Sequence, residues 1–409
     1  MLKVLHITTS PKGGAGIAAF RLHNALRRCG VASAFLTKKK SIDYDGSLQQ
    51  DPFFEYQAAS LFQRLSNRLF PSEYKKQQLA LQQKVTDQRC EGPSLALAPY
   101  ATETHPWVQE ADIIHLHWVG GIINFPTFFK TIDCPVVWTL HDMNPFMGVF
   151  HYEGDASRNQ SLVQELDNKQ REIKKNAYAQ VSKGAIVCPS RWMLNKAIAS
   201  GMFHTFDLKR TLPNAIDLEK FIPMPDREAK DQLGITTTQP IALYITDSGM
   251  SERKGIDLLI AALEQVNSPL TLLTLGRTPV PVNNPKVSVV SLGFVKEENR
   301  IIAAYNCAEV VLLPSQEDNL PNVMLEAFAC GTPVISFANG GMAEHIGKGQ
   351  NGMIVPEMSA SALSQTIDRF LDAPERFSSV AIRAYAEQHF SEATQAKAYK
   401  EVYKDLITL

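Results

Sequence analysis

Short, almost wholly apolar runs recur along the chain, each closed by a polar or glycine-bearing turn and followed by a longer segment with helical spacing. They fall at Leu2–Ile7, Ser33–Thr37, Asp112–His117, Pro135–Leu140 and Gly184–Cys188, then at Ile241–Ile245, Leu270–Leu275, Val287–Leu292, Val310–Leu313 and Val334–Ser336. Runs this short predict buried strands, and strand, turn, helix, strand in succession predicts parallel βαβ units. Helices are expected from the Gly-rich turn through Leu26, over Ile256–Val266, Pro321–Cys330, Ala360–Leu371 and Pro374–Gln388, and from Glu392 to Leu409. Between the two series of strands, Arg210–Asp217 and the Pro223 and Pro225 pair predict a passage between domains, with linker composition to about Gln239.

One stretch breaks the pattern. Residues 41–105 read as an insertion, in which Ser60–Phe70 puts Leu61, Phe62, Leu65, Leu69 and Phe70 on one side, with Arg64 and Arg68 nearby. From Gln63 to Arg89 six basic residues stand against two acidic ones. Such a helix either rests on an anionic membrane surface or belongs to a helical pair packed on its own domain.

Composition narrows the class. At 409 residues the chain has room for two domains, and 44% hydrophobic with 20% charged residues is ordinary for a soluble globular protein. A net charge of −1 gives no sign of a nucleic-acid partner. The six cysteines lack C-x-x-C spacing and sit mostly among apolar neighbours, as reduced thiols in a cytoplasmic protein do. Neither a signal peptide nor a run near the ~20 apolar residues of a membrane span is present in the sequence.

Chemistry concentrates at Pro314–Ser336. A strand exit there leads through Glu317, Asp318 and Asn319 to a helix opening near Pro321, whose missing N–H suits a first helical position. The amides of Asn322, Val323 and Met324 are then expected to face a phosphate at the helix N-terminus. Asp318 and Glu326 frame that helix, although two acids there would equally favour its dipole, by roughly 0.3–1 kcal/mol each. Arg253 and Lys254 precede Gly255 and another helix, a setting suited to neutralising a diphosphate. In the first half, Gly13-Gly14-Ala15-Gly16 follows the first strand without completing G-x-G-x-x-G, and is a weak phosphate-loop signal by itself. His141-Asp142 lies just past the carboxyl end of a strand, where open α/β sheets keep ligand groups. Asp142 is either a chemical group or a turn residue. His115 and His117 share a strand face, but with no third ligand in view they do not predict a metal site.

The segment from Asp318 through Glu326 to the tail Ala327-Phe328-Ala329-Cys330-Gly331-Thr332-Pro333-Val334 resembles the donor signature of the retaining glycosyltransferases of family 4, E-x7-E with an A-x-A-x-G-x-P-V-type tail. Its first acidic position holds Asp318, with Glu317 one step earlier, and either acid could take that role. Pro213-Asn214-Ala215-Ile216-Asp217 resembles the family's hinge segment. The resemblance covers nearly the whole chain outside residues 41–105. It implies a GT-B architecture, two Rossmann-like α/β domains facing across a cleft: an acceptor-side domain over 1–221, a donor-binding domain over 222–391, and a final helix, 392–409, returning to the first. It further implies retaining transfer of a hexose from a nucleotide-diphosphate sugar to a hydroxyl of a glycan or lipid-linked acceptor, most often in cell-surface polysaccharide synthesis. His141 and Asp318 would orient the sugar. Gly14, Arg253, Lys254, Asn319, Leu320, Pro321, Asn322 and Glu326 would hold the donor, Glu326 at the ribose. The cations would stabilise the leaving diphosphate, and Gly293-Phe294-Val295 would lie near the base. The early arginine that many relatives carry falls near Ser248 here, so Arg253 would supply the second charge. No metal or cofactor is required, because the cationic loop can carry the leaving-group charge, and a donor phosphate oxygen is thought to take the acceptor proton in such enzymes. Two other classes stay open: a GT-B-fold epimerase or phosphorylase, the latter marked by a pyridoxal phosphate on a lysine, and a catalytically silent, membrane-associated partner in polysaccharide assembly.

Overall fold

The apolar runs become strands. The computed structural model describes residues 2–38, 53–55, 72–246, 251–347, 350–374 and 377–409, the segment 53–55 by backbone alone. The chain divides into two units, one of residues 1–213 with 395–409, the other of residues 214–394.

The first unit is built on β1 (Lys3–Ile7), β2 (Ala32–Thr37), β3 (Phe53–Glu55), β4 (Ile113–Leu116), β5 (Val136–Thr139), β6 (Gly184–Cys188) and β7 (Leu208–Thr211). Among the described residues these pair as a parallel sheet in the order β3-β2-β1-β4-β5-β6-β7. Its helices are α1 (Gly13–Arg28), α2 (Glu73–Lys84), α3 (Pro106–Glu110), α4 (Phe125–Thr131), α5 (Glu153–Tyr178) and α6 (Arg191–Ala199). Alternate strand residues feed two cores, as a sheet covered on both faces requires. On one face Leu5, Ile114 and Trp138 pack with Phe128, Phe129, Tyr178 and Phe203. On the other, Val4, Ile113, Val137 and Val187 pack with Leu22 and Leu26 of α1 and with the last helix of the chain. Burial of each such large apolar side chain contributes about 1.5–3 kcal/mol.

In the second unit β8 (Ile241–Ile245), β9 (Leu270–Leu275), β10 (Val287–Ser291), β11 (Val310–Leu313), β12 (Val334–Phe337) and β13 (Gly352–Val355) pair in parallel as β10-β9-β8-β11-β12-β13. The helices are α7 (Asp226–Leu233), α8 (Ile256–Leu263), α9 (Glu298–Asn306), α10 (Asn322–Ala329), α11 (Ala360–Leu371) and α12 (Ser379–Phe390). Leu243, Leu273 and Val311 face α7, α9, α10 and α12, while Ala242, Leu272, Val310 and Leu312 face α8 and α11. The final helix α13 (Glu392–Thr408) lays Ala396, Tyr399, Val402, Tyr403 and Leu406 against the first unit's sheet. No described helix is long and apolar enough to cross a membrane.

Several elements differ from expectation. Residues 53–55 add an edge strand from inside the expected insertion, and α2 packs on α5, where Gln170 Nε2 donates to Gln77 Oε1 at 2.7 Å. The amphipathic stretch at Ser60–Phe70 lies outside the described residues. β7 and α7 occupy sequence that reads as linker; β7 is an edge strand with three of its four residues only half-buried, and such a strand needs no continuous apolar run. Helix α12 starts at Ser379, whose predecessor Ser378 caps it by accepting from Ala381 N, not at Pro374. The long helix α5 has no counterpart among the expected elements, because Asp155, Asn159, Asp167, Gln170 and Lys174 stand on its buried side.

Candidate functional site

In the second unit the strand order reverses between β8 and β11. Strands wind outward from β8 through β9 and β10 on one side, and from β11 through β12 and β13 on the other. The loops leaving two such neighbours diverge and open a crevice at the carboxyl edge, where doubly wound sheets bind ligands. The loop after β8 carries Arg253 and Lys254; the loop after β11 carries Glu317, Asp318 and Asn319. Residues 247–250, Ser248 among them, lie outside the described residues.

These two loops are locked together. Lys254 Nζ donates to Asp318 Oδ2 at 2.6 Å, and Arg253 Nη1 lies 3.2 Å from the same oxygen while donating to Glu317 O at 3.1 Å. Main-chain contacts reinforce the junction: Gln316 N donates to Arg253 O at 2.8 Å and Gln316 Nε2 to Glu252 O at 3.0 Å. Gly255 makes the approach feasible. Its φ is +70°, and a Cβ there would collide with the Pro314 carbonyl oxygen. From below, the Asn339-Gly340-Gly341 turn supports the acid: Gly341 N donates to Asn319 O at 2.8 Å, and a Cβ on Gly340 would run into Asp318 O. Burial alone would raise the Asp318 pKa, but Lys254 and Arg253 outweigh it and hold the carboxyl below its ordinary value. Two cations thus converge on one buried carboxylate, with Glu252 next to Arg253 and Glu317 next to Asp318 in the chain.

Helix α10 opens beside this junction. Pro321 is its N-cap and not its first helical residue, with ψ of 133°. The amide of Met324, expected to face a phosphate, is instead spent on Pro321 O at 3.0 Å. Leu320 is 4% exposed and packs in the core, so only its main chain borders the crevice. Glu326 stands on the next turn, half-buried, where Tyr305 donates its hydroxyl to Oε2 at 2.8 Å. Asn319 is buried; Asn322 is half-buried at the helix start. The expected donor set in this unit, Arg253, Lys254, Asp318, Asn319, Pro321, Asn322 and Glu326, therefore gathers along one helix start and two loops.

In the first unit the reversal falls between β1 and β4. Thr9 N donates to Trp118 O at 2.7 Å and Thr9 Oγ1 to Gly120 O at 2.7 Å, fastening the turn that leads to Gly14 against the exit of β4. Gly14 lies in the first turn of α1; Gly16 allows close packing there, since a Cβ would strike Ser10 O.

His141 follows β5 and belongs to a row of imidazoles. His6 Nδ1 lies 2.9 Å from His117 Nε2, and His117 Nδ1 lies 3.1 Å from His141 Nε2. Burial depresses the pKa values of His6 and His117 far below 6.5 and that of His141 to about 4, so the row is neutral at physiological pH. His6 is the third histidine beside His115 and His117 that the sequence did not reveal. The His115 and His117 rings stack at 4.3 Å, and His115 spends both nitrogens, on Tyr403 OH at 2.7 Å and Thr139 Oγ1 at 2.8 Å. One nitrogen of each of the three rings lies within 4.8 Å of the others, but both nitrogens of His115 and of His117 are engaged in hydrogen bonds, which does not suit an ion.

Asp142 is a bracing residue. Its Oδ2 accepts from Trp118 Nε1 at 2.8 Å and lies 2.6 Å from His151 Nδ1, and its Oδ1 accepts from Asn144 N at 2.9 Å. A cavity of ≈ 10 Å³, room for one water, is bordered by His117, Trp118, His141, Asp142, Asn144 and His151. Beneath it Lys174 of α5 is fully buried, its Nζ within 2.5–3.1 Å of Asn144 O and Oδ1, Met147 O and Gly148 O. Sequence reading missed Lys174, Asp167 and His151. The one signal for Lys174 and Asp167 was polar residues recurring on a single face of α5, which looks like an ordinary solvated stripe; His151, ahead of that helix, had none.

Residues 239–373 match the family described as Glycosyl transferases group 1. Over 97% of its length the chain is 24% identical to a D-inositol 3-phosphate glycosyltransferase of Xylanimonas cellulosilytica, covering 92% of that protein. It is 28% identical to a putative teichuronic acid biosynthesis glycosyltransferase, TuaC, of Bacillus subtilis, over 48% of this chain and 52% of the other. Among solved structures, Anabaena HepE in complex with UDP-glucose superposes with a TM-score of 0.68 at 17% identity, over 99% of this chain and all of that one. The structural likeness establishes the two-domain GT-B fold, and the sequence matches support a glycosyltransferase of group 1 type.

Proposed function

We propose that this chain is a retaining glycosyltransferase moving a hexose from a nucleotide-diphosphate sugar to a hydroxyl of a glycan or lipid-linked acceptor in cell-surface polysaccharide synthesis. The observation that carries this reading is the junction of Arg253 and Lys254 with Asp318, at the strand-order reversal of the second unit and beside the start of α10. Two cations beside a helix N-terminus are suited to a diphosphate, both as ligand and as leaving group. Asp318 holds both cations at the edge and so sets where the phosphates sit. Glu326, steadied by Tyr305, takes the ribose hydroxyls, and Gly14 brings main chain near the diphosphate. His141 and Asp318 orient the sugar. The catalysis so assigned is positioning and charge stabilisation, which needs no protein nucleophile. UDP-glucose in the Anabaena relative and teichuronic acid in the name of the Bacillus relative support the donor and acceptor classes.

A thermal-shift and hydrolysis screen against UDP-, GDP-, ADP- and dTDP-sugars, on wild type and Glu326→Ala, tests the reading. A donor at 100 times its dissociation constant stabilises by about 2.7 kcal/mol, several degrees of melting temperature. Stabilisation by one nucleotide family, lost in the variant, is the expected result. A folded protein that no donor shifts would refute the transferase reading.

A further inference from the structure

The three imidazoles of the first unit cannot choose their protons independently. Each neutral ring carries one N–H, and two ring-to-ring hydrogen bonds join His6 to His117 and His117 to His141. If His117 carries its proton on Nδ1, it donates to His141 Nε2, and His6 must donate from Nδ1 to His117 Nε2. His141 then carries its own proton on Nδ1. The opposite arrangement reverses every ring: His141 donates from Nε2, His117 donates from Nε2 to His6 Nδ1, and His6 is left with its proton on Nε2.

His6 Nε2 decides between them. The ring is wholly buried, and this nitrogen has no hydrogen-bond partner among the described residues. In the first arrangement it is a bare lone pair; in the second it is a buried N–H without an acceptor. Orphaned buried N–H donors are the rarer of the two in proteins, since a donor has a single proton to satisfy. Close packing against His23, Phe35 and His115, with ring centroids 4.7–6.3 Å away, keeps the His6 ring in place.

We propose that His117, with His6 at the buried end of its row, is a positioning residue that locks His141 in its Nδ1–H tautomer, so that His141 meets the sugar hydroxyl as a hydrogen-bond donor. The role at the sugar rests on the donor reading given above; the lock itself does not.

Long-range proton–nitrogen spectra of the full chain labelled with ¹⁵N-histidine, near pH 7.5, test it. Single variants at His6, His117 and His141 assign the signals. Wild type is expected to show a protonated Nδ1 and an unprotonated Nε2 on all three rings. In His117→Phe, which removes the ring that donates to His141 Nε2, His141 is expected to average between its tautomers, whereas in His6→Phe the same preference passes to His117 Nε2 and His141 keeps its Nδ1–H. With a donor sugar supplied, kcat is expected to fall in His117→Phe in proportion to the lost Nδ1–H population, about twofold when the two tautomers are equal, while the donor KM stays unchanged. A wild-type His141 protonated on Nε2 overturns the lock whatever the activity, as does a folded His117→Phe whose His141 spectrum is unchanged. The expected spectra in a chain that transfers no sugar uphold the lock and overturn the donor reading alone.

Discussion

Single residues decide how closely main chain approaches main chain at the donor crevice. Gly255 is the clearest case, because its positive φ and its contact with the Pro314 carbonyl both exclude a Cβ. Gly255→Ala is expected to cost about 2 kcal/mol or more, lowering the melting temperature by several degrees, and to abolish donor binding by moving Lys254 away from Asp318. Retention of wild-type stability and donor binding in that variant would show the loop to be slack. His151 contributes to the pH dependence of the first unit, beside buried Lys174, whose pKa burial lowers to about 7. Burial alone would lower the His151 pKa, but the Asp142 carboxylate outweighs this and raises it above 6.5. The folded state then binds the proton more tightly than the unfolded chain. Its stabilisation is complete below pH 6.5 and fades as pH rises through the raised value. Asp142 is shifted below 3.8, so its own contribution is complete above that pH and is lost only in acid. His151→Leu is expected to destabilise by about 3 kcal/mol near pH 6, with a deficit that shrinks at alkaline pH. A pH-independent deficit in thermal melts would rule out the ion pair.

At the scale of elements, two helices hold polar groups that the first unit's sheet edge depends on. Helix α5 sends Lys174 under the loop after β5 and Asp167 to Val149 N at 2.7 Å, so the segment from Asn144 to Val149 is held from below. Helix α13 does the same for the histidines: Tyr403 OH meets His115 Nδ1 and Tyr399 OH meets Thr139 Oγ1 at 2.8 Å. Tyr403→Phe keeps the packing but leaves a buried imidazole nitrogen without its partner, and is expected to cost about 1–2 kcal/mol in denaturant unfolding. Tyr403→Ala also opens a cavity and is expected to cost about 3–5 kcal/mol. Equal costs for the two would mean that the hydroxyl contributes nothing. Local pattern shows neither role, although the family resemblance implies that the final helix returns to the first unit. The inner face of α5 is polar, and the apolar stripe of α13 does not say which sheet it covers.

For the whole molecule, the chain path makes the two units unequal. Residues 214–394 hold a complete sheet and both of its cores, whereas the first unit needs residues 395–409 to cover one face. Residues 214–394 expressed alone are expected to unfold cooperatively and to bind the same nucleotide as the full chain, while residues 1–213 alone are expected to aggregate. Wild-type-like melting of 1–213 would remove α13 from that core. The parallel α/β class and the placing of Asp318 and Glu326 around one helix start were legible in the sequence. Continuous apolar strands and a turn between strand and helix are local patterns, and covalent continuity places Asp318 beside Glu326. What tertiary structure alone decided is which loops meet. Strand order sets the reversals between β8 and β11 and between β1 and β4, and so brings Lys254 to Asp318 across 64 positions and His6 to His117 across 111. Hydrogen bonds act over about 3 Å, so a pairing between residues far apart in the chain leaves no local periodicity to read.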